Sequence, residues 1–497
     1  MTVPAGDILR IEIERIIMSK YNGAGTPLDP VDLSGQLIEF TYYQSIFEPL
    51  MRATIVVNDS VNFQYNYPLT GEEIFFIQLN QQYPNAFDSP TPWRDQRYGM
   101  IFVVENITNS IVADMGKTSS LVINLVSVES WANEFQHISL VNKASNNTLR
   151  LEQFANYIFN TYIYDELKKI FPMSLYDKYK GNQSRRLLTS GGLGGGTVQR
   201  IHTEPTQADR KGLIIPNLRP LNAITFCAKH SKAQNKDNNS YLFYENLEGF
   251  HFVTLEGKAR DNKNAAYSSK RDYYYLPIRG LAQYIPALAN NQNYEMKLIA
   301  NVFYNQRYDT QSKNAGGYFQ NRFIEINMAK QTWTKPPETD NTVENYKPIL
   351  GNYKLSTTSF INSKKRTVAS TSESLARVRY NINNFVNDDI PKIRDKWGKS
   401  TINATAMNQI DISIAVPPDI NIIPGDVLKI HIPLLESFTD NTVPWDPIMS
   451  GFYLVSEVKN TILVDGTATT SLRLLRDGSD RFMDQTNLLA TDGRVQL

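Results

Sequence analysis

The stretch from Ile410 to Pro433 reads IDISIAVPPDINIIPGDVLKIHIP, and from Ser450 to Gly478 the chain reads SGFYLVSEVKNTILVDGTATTSLRLLRDG. Ile410, Ile412 and Ile414 alternate with Asp411 and Ser413, the period of a half-buried strand. Pro424-Gly425-Asp426 supplies a turn, since proline presets one φ and glycine permits a positive one. Val427, Lys429 and His431 then alternate with Leu428, Ile430 and Ile432. A third strand is predicted over Gly451 to Val458 and a fourth over Thr469 to Leu475, with Asp465-Gly466 as the hairpin signal between them. Asp411 to Arg476 therefore reads as a short antiparallel barrel or sandwich, and it holds no cluster of acids, bases or metal ligands.

The same pattern opens the chain. Ile8 to Met18, Gln36 to Tyr43, Met51 to Asn58, Ile74 to Leu79, Met100 to Ile107 and Leu121 to Val128 read as strands. Phe47-Glu48-Pro49 and Thr70-Gly71 are turns among them. The period then changes. Leu149 to Phe171 places Leu151, Phe154, Ala155, Ile158, Tyr162 and Leu167 at helical spacing, and Pro172 stops it. Lys178 to Lys211, rich in Gly, Ser, Arg and Gln, reads as a mobile insertion that proteases should cut first. Leu221 to His230 is a second helix. Ser240 to Glu245 and Gly249 to Leu255 form a hairpin, and Gly257 to Ser269 reads as a polar connector. Strand pattern returns over Tyr294 to Asn305 and Arg322 to Met328. Leu375 to Ile393 reads as a helix broken at Pro391.

These patterns predict an α+β fold, mainly β, with two antiparallel β-barrel domains flanking a mixed α/β domain. The expected division is 1–130 for the first barrel and 131–280 for the α/β part with its insertion at 178–211. The second barrel takes 281–334 plus 373–476, with an extended polar excursion at 335–372 and a C-terminal tail at 477–497. No repeat of 20–50 residues can be read directly; the symmetry of barrel, insert and barrel is looser.

Composition sets limits on function. A chain of 497 residues exceeds one core, so two to four domains are expected. With 51 basic and 50 acidic residues the net charge is +1, which gives no electrostatic case for binding a polyanion over the whole surface. Cys227 is the one cysteine, so no intrachain disulfide can form. The opening MTVPAGDILRIEIERI lacks an apolar core of signal-peptide length, and no run approaches the roughly 20 apolar residues of a membrane span. The expectation is a soluble chain made in a cytoplasm.

The chemical motifs dissolve on inspection. Gly191 to Thr197 is followed by Val198 where a phosphate-binding loop needs Lys, so it reads as a flexible loop. His137, His202, His230, His251 and His431 stand apart in sequence, without metal-ligand spacing and with no carboxylate cluster near His251 or His431. Cys227 and His230 share a helix face, but core packing is the better reading of the thiol. Asp165-Glu166 and Asp388-Asp389 are adjacent and diverge by about 100° on a helix, so neither pair converges on a bond. Arg185, Arg186, Arg200, Arg210 and Lys211 read as a solvated basic loop. No catalytic, cofactor-binding or metal-ligating residue is assigned, and no cofactor is expected.

The final unit resembles that of the T4-type baseplate hub proteins of contractile-tailed phages. The residues that carry the likeness are Asn421 to Ile430 around the Pro-Gly turn, Gly451 to Val455 with Glu457 and Val458, and Thr470 to Leu474. The order of domains is similar too. The resemblance implies two barrels like those of the tail-tube protein in each chain, and a homotrimer that presents six of them as a pseudo-sixfold ring. Such a ring would join a hexameric tail tube or tube-initiator protein to a trimeric central spike, beside baseplate wedge proteins. The genome would pass through its lumen without specific nucleic-acid binding, and the protein would lie in the tail baseplate of a virion with no membrane insertion. The spike protein of type VI secretion is built on similar lines. This implies a structural protein and not an enzyme. The alternative is a baseplate-associated cell-wall hydrolase, which would need two convergent carboxylates or a zinc cluster. A carbohydrate-binding adhesin is disfavoured because Trp93, Trp131, Trp333, Trp397 and Trp445 are dispersed.

Overall fold

The computed structural model describes residues 11–21, 27–59, 67, 69–84, 93–113, 118–143, 150–172, 175–176, 180, 200–207, 212–235, 239–269, 271–289, 294–307, 313, 316–327, 332–333, 340–342, 346–355, 376–381, 390–434 and 443–481. The apolar alternation at the start of the chain forms β1 (Ile11–Tyr21), β2 (Pro27–Asp32), β3 (Leu37–Ser45), β4 (Arg52–Asp59), β5 (Ile74–Pro84), β6 (Trp93–Ala113) and β7 (Thr118–Ser127). They pair antiparallel in the order β2-β1-β5-β6-β7-β4-β3. Both faces of this sheet are buried near Ile74. Phe75 and Ile77 share a core with Phe40, Ile55 and Ile123. Ile74 and Phe76, one residue out of phase, join Ile101 and Val103 beneath the middle of the chain. Each such side chain contributes about 1.5–3 kcal/mol when fully buried.

The cover on that outer face comes from α1 (Glu129–Glu134), β8 (Ile138–Lys143), α2 (Leu151–Ile158), a π-helical stretch (Phe159–Tyr164), α3 (Asp165–Ile170), β9 (Ile201–Thr203), β10 (Gly212–Leu218) and α4 (Pro220–His230). The hairpin of β11 (Tyr241–Asn246) and β12 (Gly249–Thr254) follows, with β9 parallel to β12. It leads into α5 (Leu255–Ser269).

The second half supplies β13 (Asp272–Tyr275), a 3-10 turn (Arg279–Tyr284), α6 (Pro286–Ala289), a second 3-10 turn (Tyr294–Lys297), β14 (Leu298–Ile299) and β15 (Asn301–Arg307). Then come β16 (Gln320–Asn327), β17 (Thr332–Trp333), β18 (Asp340–Thr342), β19 (Tyr353–Lys354), β20 (Ala376–Asn381) and α7 (Ile390–Met407). The chain closes with β21 (Ile410–Val416), β22 (Val427–His431), β23 (Gly451–Leu463), β24 (Ala468–Arg476) and β25 (Gly478–Ser479). Here the order is β14-β13-β22-β23-β24-β21-β15, and β23 also pairs β3, so the two strand sets make one continuous 14-stranded sheet.

Several expectations change. Gly257 to Ser269 is not a connector but most of α5, whose Leu255, Ala259 and Ala266 cover Val427, Phe452 and Leu454. Within Leu375 to Ile393, residues 376–381 form a strand parallel to β16, and Pro391 sits at the start of α7 rather than at a helix end. Proline is tolerated in a first turn, where its missing N–H has no helical partner to lose. Tyr294–Lys297 is a 3-10 turn, and the strand begins only at Leu298. β16 lies outside the 14-stranded sheet, paired with β17, β18 and β20.

Two stretches expected to lie away from the core are partly bound to it. Tyr346, Ile349 and Leu350 are buried, and the Asp477 carboxylate accepts from the Tyr346 hydroxyl and from the backbone N–H groups of Ile349, Leu350 and Gly351. Within the expected mobile insertion, Lys180 is buried and Ile201–Thr203 is a strand. The glycine run at 191–196, Asp388-Asp389 and the tail beyond Arg481 lie outside the described residues.

Candidate functional site

The two strand sets are built to one plan. In the first, β3-β4-β7-β6-β5 are neighbours; in the second, β15-β21-β24-β23-β22 are. The ladder of β6 with β7 slips one residue between Val104 and Asn106, and that of β23 with β24 slips between Val455 and Glu457. A bulge of this kind fixes register, so Val104 corresponds to Val455 and Asn106 to Glu457. Leu125 and Leu474 then stand opposite equivalent valines, and Asn124 and Arg473 opposite the bulge. The turns agree as well. Val104 N–H donates to the Glu73 carbonyl at 3.3 Å, and Val455 N–H to the Asp426 carbonyl at 2.8 Å. Each of those acids also caps its own turn and meets a cation, Lys20 at 3.2 Å from Glu73 and Arg271 at 2.7 Å from Asp426. Gly425 sits at φ +96°, where an added Cβ would press on the Tyr244 hydroxyl at 2.7 Å.

The halves meet edge to edge. β23 runs past β22, which pairs it only over Gly451 to Leu454, and the same edge then takes up β3 from Glu457–Ser45 to Leu463–Glu39. Thr41 Oγ1 donates to Thr461 Oγ1 at 3.2 Å, and Phe40 and Ile462, opposite each other, are both fully buried. The loop before β22 reaches the first strand set, with Ile420 and Ile423 in its core. Gln81 fixes that loop, donating to the Pro418 carbonyl and accepting from Ile420 N–H.

Among the described residues, two edges of the same kind stay open. β6 pairs β5 only up to Val103, and among the described residues no strand covers that edge from Glu105 to Ala113. β15 pairs β21 on one side, and among the described residues no strand lies on the other. Burial records the difference at matching positions. Tyr42 and Val458, at the filled junction, are 0 % and 1 % exposed; their counterparts Tyr304 and Ile107 are 44 % exposed and half-buried. Phe303 is 62 % exposed.

Beneath the first strand set lies a charged group that sequence reasoning missed. Lys180 Nζ donates to Ser127 Oγ at 2.7 Å, to Glu129 Oε2 at 2.7 Å and to Glu245 Oε1 at 2.8 Å, and all three ionisable groups are buried. Glu245 also accepts from Met51 N–H, and Tyr176 donates to Glu129. Burial pushes the Glu129 carboxyl up, but Lys180, Ser127 and Tyr176 outweigh it and hold the group below its ordinary range. Burial and the Glu129 charge together leave Glu245 raised despite Lys180. The Lys180 ammonium, penalised by burial, is held above its ordinary value by the two carboxylates. These residues converge from segments some 50–120 positions apart, which no local pattern reveals. With their oxygens taken up by Lys180, Ser127, Tyr176 and Met51, the two acids tie α1 and β11 to the first strand set.

The residues tested for chemistry fall elsewhere. Cys227 is fully buried in the helical cover, while the His230 ring stacks at 4.2 Å on Phe226 and bonds its carbonyl. Asp165 and Glu166 pair with Lys168 and Lys169 on the surface. His202 and His251 lie with ring centroids 5.4 Å apart, unlinked in sequence. His431, read from the sequence as remote from acids, reaches the Asp272 carboxylate at 3.2 Å and stacks on Tyr274 at 4.5 Å. Parallel pairing of β13 with β22 makes that contact. Among the described residues, no three His, Cys, Asp or Glu side chains group as a metal site requires, and no helix is long and apolar enough to cross a membrane.

No protein-family model and no curated protein matches this chain. Among solved structures it is similar to a tail protein from Neisseria meningitidis MC58, at 8% identity and TM-score 0.45, over 93% of this chain and 97% of that one. It is also similar to the 43 kDa tail protein of prophage MuSo2 from Shewanella oneidensis, at 10% identity and TM-score 0.41, over 93% and 98%. A third likeness is to the Francisella PdpA-VgrG complex, at 11% identity and TM-score 0.41, covering 96% of this chain and 55% of that one.

Proposed function

We propose that this chain is the structural hub of a contractile tail baseplate. Three copies form a ring of six equivalent barrels that joins a hexameric tail tube to a trimeric central spike. The observation that carries the reading is the β3–β23 junction: one chain already holds two barrels of one plan, joined edge to edge, with one open edge of each kind left over. A head-to-tail joint of this sort repeats until it closes. Duplication within the chain lets a threefold assembly offer a sixfold surface. The hub resemblance at Asn421 to Leu474 points the same way. A net charge of +1 fits a conduit that does not grip nucleic acid. In this reading the protein is structural and not an enzyme, and its partners are the spike, the tube or tube initiator and the wedge proteins.

The test is the mass in solution by light scattering, alone and with the cognate spike and tube proteins. The expected result is three copies per particle, with a sixfold-looking ring in class averages by electron microscopy. A chain that stays monomeric and binds neither protein refutes the proposal.

A further inference from the structure

We propose that β15 of one copy of this chain adds to the outer half of β6 of a second copy, in the register that β3 and β23 use within the chain. The inference rests on the ring reading and specifies its joint.

The register follows from the internal match. Leu474 and Leu125 correspond, so Thr470 corresponds to Leu121 four residues earlier. Asn460, opposite Thr470, then corresponds to Ser110, opposite Leu121, once a second slip of β6 between Thr108 and Ser110, which β23 lacks, is taken in; Thr461 corresponds to Ile111 and Ile462 to Val112. On the other strand, Tyr304 stands opposite Ile412 as Tyr42 stands opposite Ala53, which pairs Phe303 with Thr41 and Val302 with Phe40. Within the chain Tyr42, Thr41 and Phe40 face Asn460, Thr461 and Ile462. Between copies Tyr304, Phe303 and Val302 therefore face Ser110, Ile111 and Val112, and Asn301 faces Ala113.

Three features favour a second copy as the occupant. The two open edges are the counterparts of the two edges already joined, so each is shaped for the other. The positions that junction buries are the ones left partly exposed here, Tyr304 and Ile107 against Tyr42 and Val458. An open strand edge flanked by exposed Phe303 is also a hazard unless something pairs with it. Because the joint uses different edges on the two copies, it runs in one direction around the assembly.

Cysteine pairing tests the register in the full chain, where the native Cys227 is buried and does not compete. Phe303→Cys and Ile111→Cys variants are purified separately, mixed and oxidised, with particle mass read before oxidation. The expected result is a reductant-reversible covalent dimer from this pair, and loss of that band when Val112→Cys replaces Ile111→Cys. Phe303→Glu, at an exposed position, is expected to lower particle mass while leaving the thermal transition unchanged. Trimers that form without the 303–111 cross-link, or that link 303 to 112 as readily, overturn the register while the ring stands. Monomers with no cross-link, with and without the spike and tube proteins, overturn register and ring together.

Discussion

Lys459 of β23 stands directly opposite Tyr43 of β3, its ammonium 5.5 Å from the ring centroid. The contact spans the junction where, among the described residues, the two strand sets share a ladder. A cation over an exposed tyrosine face is worth about 0.5–1 kcal/mol. A double-mutant cycle of Lys459→Ala and Tyr43→Ala, read by chemical denaturation, should return a coupling of about that size. Additive effects would show that this pair adds nothing to the ladder, the Thr41–Thr461 bond and the buried Phe40 and Ile462.

Removing the buried ammonium is a far larger change. Lys180→Met leaves Glu129 and Glu245 without the cation that both accept from. Breaking a buried pair at one partner costs about 3–5 kcal/mol. The expected result is that loss in denaturation, largely recovered when Glu129→Gln and Glu245→Gln are added, because the site then holds no unpaired charge. A loss below about 1 kcal/mol would mean that water reaches the carboxylates.

These two sites mark what the sequence discloses and what it hides. The hairpin around Leu247-Glu248, the strands about Pro424-Gly425 and the Asp465-Gly466 turn were legible because period and turn chemistry are local. The helix over Leu151–Ile170 was legible for the same reason, though its π-helical middle was not. α5 is hidden in the sequence because LEGKARDNKNAAYSS is polar on most sides, and the apolar residues it buries among those described are Leu255, Ala259 and Ala266. β20 reads as helix in the sequence because its partner, β16, lies more than 40 residues upstream. The match between the two strand sets is not legible locally because it lives in register. Bulges at Val104 and Val455 align where the side chains around them, such as Asn124 and Arg473, differ.

Stability should fall on mild acidification through two histidines. Burial, with Lys258 and His202 adding to it, holds His251 well below its ordinary value, and burial with Lys258 also lowers His202. His251 Nε2 donates to Asn246 Oδ1 at 3.0 Å, a bond that either charge state can make, so burial and the nearby Lys258 are what favour the neutral ring. The unfolded chain takes up protons as pH drops below about 6.5, while the folded chain does not. Stability is therefore complete above that pH and lost as pH falls below it, by up to about 1.4 kcal/mol per unit for the buried His251 and by less for the partly exposed, solvent-screened His202. Denaturation at pH 7.5, 6.5 and 5.5 should show the slope, and His251→Phe should remove the larger part of it even if it lowers stability throughout. An unchanged slope would assign the acid sensitivity to other groups.

The start of β23 depends on a residue without a side chain. Gly451 has φ +137°, a conformation that other residues rarely adopt, and the Arg476 guanidinium fills the space where a Cβ would stand. Arg476 is fully buried; it donates to the Ile448 and Ser450 carbonyls and pairs with Asp480 at 3.1 Å. Beside it, Asp477 anchors Tyr346 to Gly351. Gly451→Ala must therefore strain the backbone and displace a buried charge at once. The expected cost is about 1–3 kcal/mol from the backbone alone, with more from the arginine. Limited proteolysis should then expose the segment around Ile349 before either barrel is cut, because its anchor shares the displaced corner. Gly451→Ala that melts with the wild type would show that Arg476 can move aside without loss.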